Sequence, residues 1–480
     1  MPRMPPFISL SSSLFAGICC CYKLSVSFTP PKSARAGRWH GNRSIMTRAA
    51  SSVTRHITEA RPRRRLIVDT DLGLDDLVAL SILRVQQCIH EAHHPIMSSG
   101  DQYTPFQISG VTITPGISCA NSGNAALLRR LLPSNTPIYV SGNNSMDSSL
   151  SWMNQEKPTW WMRTADQVTS FLSSLPPLPT EQPAGQIIMQ DNVKKYNDIT
   201  AEQFMANNMD DPNIDFLCMA PLSTVAGALH LRREQDQTSS SPEATFYVMG
   251  GIRSDSKVTK RGESTAPFES NLPPDTETEA IIDKRDKFGE FNFALDIAAA
   301  RTVLSEISAR IIPLEACTLV PNSLRSATTV ESATLSSILK DRQSSSSDSA
   351  TNSATDSTKE LYTARSILLK LFQEFGATDT QWDSIAAAIY CNTFDSACTG
   401  DGVESSGMLT QIDSRELTLS DLGALSLPGS QLFDQVPNNN VRVDSNHSHW
   451  IYPTFTPDDE VKFFHYISFL LYSNGNNYHS

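Results

Sequence analysis

Four carboxylates fall within eight residues in the segment Asp69-Thr70-Asp71-Leu72-Gly73-Leu74-Asp75-Asp76. Like charges at this density repel strongly unless protons or a cation compensate them. Gly73 permits a tight turn, and the amino end of a following helix offsets only a fraction of one charge. A bound hard cation is the economical solution. Oxygen ligands without Cys or His point to Ca2+ or Mg2+ rather than zinc. An EF-hand loop counted from Asp69 needs glycine sixth and glutamate twelfth; Leu74 and Leu80 stand there, so that loop is excluded. A phosphatase of the aspartyl-phosphate type shares a D-x-D after its first strand but lacks the trailing Asp75-Asp76 pair. On the motif alone, a solvated acid cluster capping a helix stays open.

The acids must be positioned by the elements around them. Leu66 to Val68 reads as a short buried strand with Asp69 at its carboxyl end, and Leu77 to Val85 as an apolar helix. Further strands are expected at Ile108–Thr114, Pro137–Val140, Ile214–Met219, Thr245–Met249 and Ile311–Leu314, with a helix over Asn124–Leu132. Strands alternating with helices predict an α/β fold, a largely parallel central sheet covered by helices on both faces. Ligands of such sheets bind beyond the carboxyl ends of the strands, which is where the acidic segment falls.

The chain carries 39 basic and 51 acidic residues, a formal net charge of -12. This balance argues against a nucleic-acid binder, which needs a basic footprint. The two ends of the chain differ sharply. Residues 1–65 hold 12 Lys/Arg and one acid, Glu59, and the remainder holds 27 basic and 50 acidic residues. The acid-poor, Arg- and Ser-containing start reads as a leader outside the fold: a mitochondrial transit peptide, a weak secretory signal, or an extension ahead of Met46. The body is expected in the cytoplasm, with the mitochondrion as the alternative. Nine cysteines include no CxxC pair, so buried thiols in a reducing compartment are expected. The ten histidines form no compact ligand set, and no amphipathic basic helix or transmembrane run implies a membrane partner. Polar stretches mark surface insertions at about 233–243, 257–288 and 343–359 in a domain over 66–480.

The acidic segment resembles the D-x-D-x-G-x-D-D signature of the nucleoside hydrolases, the inosine/uridine-preferring family, matched by Asp69, Asp71, Gly73, Asp75 and Asp76. Further landmarks follow in order: Gly110-Val-Thr-Ile-Thr-Pro-Gly116, Met219-Ala-Pro-Leu-Ser-Thr224, Val248-Met-Gly-Gly251, and Glu290-Phe291-Asn292 with Asp296. The resemblance implies a Rossmann-like α/β fold and Ca2+-dependent hydrolysis of the N-glycosidic bond of ribonucleosides. It implies that Asp71, Asp76, Asp383 and the Met219 carbonyl hold the metal, with Asp71 also general base on the attacking water. It places Asp75, Glu290 and Asn292 on ribose hydroxyls and Phe291 beside them. The substrate is a small nucleoside, the assembly a dimer or tetramer, and the role nucleoside catabolism or purine salvage.

The leaving-group side departs from many relatives. Where they carry a His-Asp pair, this chain has Trp382-Asp383. The purine-specific branch likewise has Trp before that Asp, and a second stacking Trp followed by Arg. Trp161, two residues before Arg163, resembles the latter. Indoles stacked on a purine favour its protonated form, which makes Trp382 and Trp161 the expected base contacts. Ile117 and Lys257 stand at positions that are polar in relatives, Lys257 where the ribose 5′-hydroxyl is held. They support a second expectation, a non-catalytic nucleoside- or ribose-binding relative. Phosphoryl transfer from the D-x-D acid is a third class, disfavoured by the ordered landmarks.

Overall fold

The computed structural model describes residues 63–93, 106–114, 122–133, 135–142, 159–176, 199–235, 241–253, 290–317, 356–375, 382–398, 410–413, 417–419, 424–426, 441–443, 447–453, 463, 466–467 and 469–471. The leader before residue 63, Ile117, Lys257 and the whole of the expected insertion at 257–288 lie outside these residues.

The first half of the described fold runs β1 (Arg64–Thr70), α1 (Leu74–His93), β2 (Phe106–Ile113), α2 (Ser122–Leu128), β3 (Ile138–Val140), α3 (Thr159–Ser174) and α4 (Ala201–Ala206). There follow β4 (Ile214–Cys218), α5 (Ser223–Glu234), β5 (Thr245–Met249), β6 (Ile252–Arg253), α6 (Phe291–Leu295), α7 (Ile297–Glu306) and β7 (Ala309–Ile312). The last elements are α8 (Asp356–Phe375), α9 (Trp382–Cys398), β8 (Thr410–Asp413), β9 (Thr418–Leu419), β10 (Ala424–Ser426), β11 (Val441–Arg442) and β12 (Ser448–Ile451).

The main sheet has eight strands in the order β3-β2-β1-β4-β5-β7-β12-β8. Seven are parallel, and β8 closes the edge antiparallel to β12. The expected α/β class with a largely parallel sheet is therefore observed. A second sheet, β11-β9-β10-β6, has no counterpart in the sequence reading because its strands are two or three residues long, too short to show a period.

Alternation within each strand feeds two cores, one on each face of the sheet. Leu66 and Val68 of β1, Leu217 of β4, Tyr247 and Met249 of β5 and Ile312 of β7 enter one, with α1, α8 and α9. Ile67, Phe216, Phe246, Val248 and Ile311 enter the other, with side chains of α4, α5 and α7. A strand buried on both faces reads as a continuous apolar run, which is why the central strands were legible without polar alternation. Helix α1 is buried on nearly every side because α8 and α9 pack over it against the sheet.

Several expected boundaries move. Arg64 and Arg65, placed in the leader by charge alone, belong to β1, and Arg63, Arg64 and Arg65 pair with Glu91, Asp215 and Asp211. Their charges are paired with acids of the fold, Arg63 and Arg65 at its surface. Asp356 to Lys359, read as the end of a polar insertion, form the first turn of α8, and Arg233 and Glu234 end α5. The strand expected over 311–314 stops at Ile312, because Pro313 turns the chain into a 3-10 helix over Leu314–Ala316. Cys88, Cys218, Cys317 and Cys391 are free and buried, as expected. Among the described residues no helix is long and apolar enough to cross a membrane.

Candidate active site

The chain leaves β1 for β2 and β3 on one side, then returns to lay β4 on the other side of β1. Crossovers running in opposite directions open a crevice at the carboxyl ends of the two strands, where open α/β sheets take ligands. Asp69 of β1 is in register with Cys218 of β4, and the Met219 amide donates to the Asp69 carbonyl at 2.9 Å. The acidic segment and Met219 are thus neighbours at that crevice, although 150 positions separate Asp69 from Met219.

The turn between β1 and α1 is built around Asp76, which is fully buried. Thr70 Oγ1 donates to Asp76 Oδ1 at 2.6 Å, and the Gly73 amide donates to Asp76 Oδ2 at 2.8 Å and to Asp71 Oδ1 at 3.1 Å. Leu72 between them has φ 61°, left-handed backbone that a leucine rarely adopts. Gly73 is required by space: a β-carbon there would lie 2.9 Å from Asp75 Oδ1 and Asp76 Oδ2 and 3.5 Å from Asp71 Oδ1. Helix α9 brings the fourth acid. Asp383, in its first turn, lies with Asp75 and Asp76 so that one oxygen of each falls within 4.8 Å of the others.

Electrostatics follow from burial and crowding. Burial pushes the Asp75 carboxyl up to about 6, with the Asp71 charge adding to the shift. Burial raises Asp76 and Asp383 well above the usual carboxylate range, and each is raised further by the charges of the other acids. Four such groups cannot all ionise together without an opposite charge. Asp383 Oδ1 is also buried without a hydrogen-bond partner. An unpaired carboxylate oxygen beside three more carboxylates fits a hard divalent cation, and the oxygen-only donor set favours Ca2+ or Mg2+. The geometry groups Asp75 with Asp76 and Asp383, where the sequence reading chose Asp71; Asp71 is the acid whose charge acts on all three.

Behind this group Asp69 accepts from Thr112 Oγ1 at 2.7 Å and from Thr114 Oγ1 at 2.8 Å. Burial raises it to about 7 against those two hydrogen bonds, with Glu202 and Asp71 adding. Sequence reasoning assigned no role to Thr70, Thr112 or Thr114. For Thr112 and Thr114 the signal was available in hydroxyls spaced two apart at the end of β2 and just beyond it, hence on one side of the extended chain.

The Glu290-Phe291-Asn292 segment enters from α6. Glu290 is fully buried and caps α6, accepting from the Asn292 and Phe293 amides at 3.0 Å and from the Gly251 amide at 2.9 Å. Asn292 Nδ2 donates to the Met219 carbonyl at 3.1 Å and contacts the Met249 carbonyl at 3.4 Å. The expected ribose residues are thus tied to the expected metal carbonyl. Phe291 is buried beside them. Trp382 begins α9, half-buried, and packs against the core on the α1 side. Trp161 lies in the first turn of α3, its side chain outside the described residues, and Lys257 lies outside them altogether.

A family model described as inosine-uridine preferring nucleoside hydrolase matches residues 66–443. No curated protein matches the chain. Among solved structures the chain is similar to an inosine-uridine preferring nucleoside hydrolase from Bacillus anthracis, at 15% identity over 85% of this chain and 99% of that chain, with a TM-score of 0.45. It is similar to a purine-preferring ribonucleoside hydrolase from Gardnerella vaginalis at 15% identity, with the same coverage and a TM-score of 0.46. A plant nucleoside hydrolase shows 13% identity, again over 85% and 99%, with a TM-score of 0.47. The family match contains the acidic turn, Met219, Asn292 and Asp383, and the chain belongs to the inosine-uridine preferring nucleoside hydrolase family, hydrolases that act on N-glycosyl bonds of ribonucleosides.

Proposed function

We propose that the protein is a Ca2+-dependent ribonucleoside hydrolase that prefers purine nucleosides and releases ribose and free base. The observation that carries this reading is the gathering of Asp71, Asp75, Asp76 and Asp383 at the carboxyl end of β1, with one oxygen of Asp383 buried and unpaired. Asp71, Asp76, Asp383 and the Met219 carbonyl would hold the cation, with Asp75 next to them. The cation supplies Lewis acidity, which lowers the pKa of water at the site.

Cleavage adds water to the anomeric carbon as the bond to the base nitrogen breaks, through an oxocarbenium-like state. Asp71 accepts a proton from that water. Asp75 and Asn292 hold the ribose hydroxyls, and Glu290 supports them through the α6 cap. A site built to pair with the 2′-hydroxyl discriminates against a deoxyribose, which leaves buried polar groups unpaired. Trp382, and Trp161 from α3, stack on the base and favour its protonated form, the proton being drawn from solvent, so that it leaves as a neutral base. Phe291 backs the sugar, and Lys257 reaches the 5′-hydroxyl.

Turnover of inosine, adenosine, guanosine and uridine, with and without a chelator, tests the proposal on wild type and Asp71→Ala. Removing the base is expected to lower kcat by roughly 10^2- to 10^4-fold, and chelation to abolish turnover until Ca2+ is restored. Purine release indifferent to both treatments overturns the mechanism. A uridine preference overturns the stacking account and leaves the cation reading standing.

A further inference from the structure

One buried hydroxyl at the acidic turn has no part in the scheme above. Thr70 is the last residue of β1 and fully buried. We infer that Thr70 is the positioning residue of the cation site, a single hydroxyl that aims Asp76 and holds the left-handed turn at Leu72. The inference rests on the cation reading of the acidic turn.

A threonine hydroxyl has one proton and two lone pairs. The proton goes to Asp76 Oδ1 at 2.6 Å, and one lone pair takes the Leu72 amide at 3.0 Å. A bond from a side-chain oxygen to the amide two residues on closes a local turn. Here it closes around Leu72, whose φ of 61° lies where bulky residues are rare and whose side chain is buried in the core. That turn delivers the Gly73 amide to Asp76 Oδ2 at 2.8 Å. Asp76 is therefore gripped at both oxygens, by Thr70 on one and Gly73 on the other, and Thr70 controls both grips.

Each Asp76 oxygen keeps a lone pair for a cation, while the two donors fix the plane of its carboxylate. Without Thr70 the carboxylate turns about its side-chain bonds and the amide of Leu72 loses its acceptor. Outer partners of this kind set ligand geometry, and their loss typically weakens metal binding by roughly 10- to 100-fold. Asp71, Asp383 and the Met219 carbonyl remain in place, so the site weakens without disappearing.

Three side chains separate the hydroxyl from the bulk that surrounds it. Valine keeps the shape and loses the hydroxyl, serine keeps the hydroxyl and loses the methyl, and threonine has both. Calorimetric titration of the chelator-stripped full-length chain with Ca2+ compares wild type, Thr70→Val and Thr70→Ser, with circular dichroism in chelator to establish that each is folded. The valine variant is expected to bind about tenfold more weakly or worse, and the serine variant within about threefold of wild type. Should Thr70→Val not fold, Thr70→Cys keeps a group of similar size with a weak donor and carries the same expectation. Valine binding within about twofold of wild type overturns the role of Thr70, and so does serine falling as far as valine. A wild type without Ca2+ affinity overturns the cation reading, and this inference falls with it.

Discussion

Asp71, Asp75 and Asp76 each send an oxygen toward the space where a β-carbon of Gly73 would stand. The spacing of the acids made a glycine turn legible in the sequence. The reason for the glycine was not: its missing methyl is the room in which three carboxylates converge. Gly73→Ala must push Asp75 and Asp76 apart, since real β-carbons do not come within 3 Å of such atoms. Overpacking of this kind costs about 1–3 kcal/mol. We expect the alanine variant to stay folded in chelator with a lowered Tm, and to lose the greater part of its Ca2+ affinity and kcat/KM. Wild-type titration and turnover curves from the variant would contradict the convergence of these oxygens on a shared cation.

Elements act on the site through their ends. Leu314, just after β7, donates its amide to the Gly251 carbonyl at 2.8 Å; the Gly251 amide donates to Glu290, and Asn292 of the helix that Glu290 caps donates to Met219. The ends of β7, β5 and β4 are tied together by this chain of contacts. Gly250 and Gly251 permit it. A β-carbon on Gly250 would lie 2.2 Å from Phe293 of α6, and Gly251 has φ 80° with Leu425 against its other side. Gly250→Ala is therefore expected to push α6 off β5 and draw Asn292 away from the Met219 carbonyl. Thermal melting should drop by several degrees, and KM should rise more than kcat falls, because the damage falls on the ribose side. An unchanged KM would show that α6 does not set the substrate contacts. The sequence offered the M-G-G and E-F-N landmarks separately, and only the packing of Phe293 over Gly250 shows why they belong together.

Across the whole molecule, the acidic group makes cation-free stability depend on pH in a direction opposite to the usual one for paired carboxylates. Asp69 titrates at about 7 and Asp75 at about 6, and Asp76 and Asp383 lie well above their ordinary range. An unfolded chain loses these protons near pH 4. Between about pH 4 and pH 7 the native state therefore holds more protons than the unfolded one, and its stability falls as the pH rises through that window. In chelator, Tm should decline by several degrees from pH 5 to pH 7.5. With saturating Ca2+ the decline should shrink or reverse, since the cation replaces the protons and is itself bound better as they leave. Differential scanning at both conditions checks this, and parallel curves would show that the cation and the protons do not compete for one site.

The sequence by itself determined the alternation of strands and helices, the family, and the acidic turn. Each is a local property: apolar runs fed to two faces, a Gly at a turn, acids at fixed spacing. Length, charge and the missing His before Asp383 were equally readable, as was the Trp that replaces it. Tertiary structure decided which groups meet. The switch of direction between β1 and β4 sets Met219 beside Asp69, and α9 returns Asp383 to acids more than 300 positions earlier. It decided that Arg63 to Arg65 belong to the fold, because their charges find Glu91, Asp215 and Asp211 there. It also made Glu290, expected on a ribose hydroxyl, the buried cap of α6, accepting from the Gly251, Asn292 and Phe293 amides. Spacing along a chain encodes what neighbours do to one another, but a site assembled from strand ends depends on the order in which the strands are laid down.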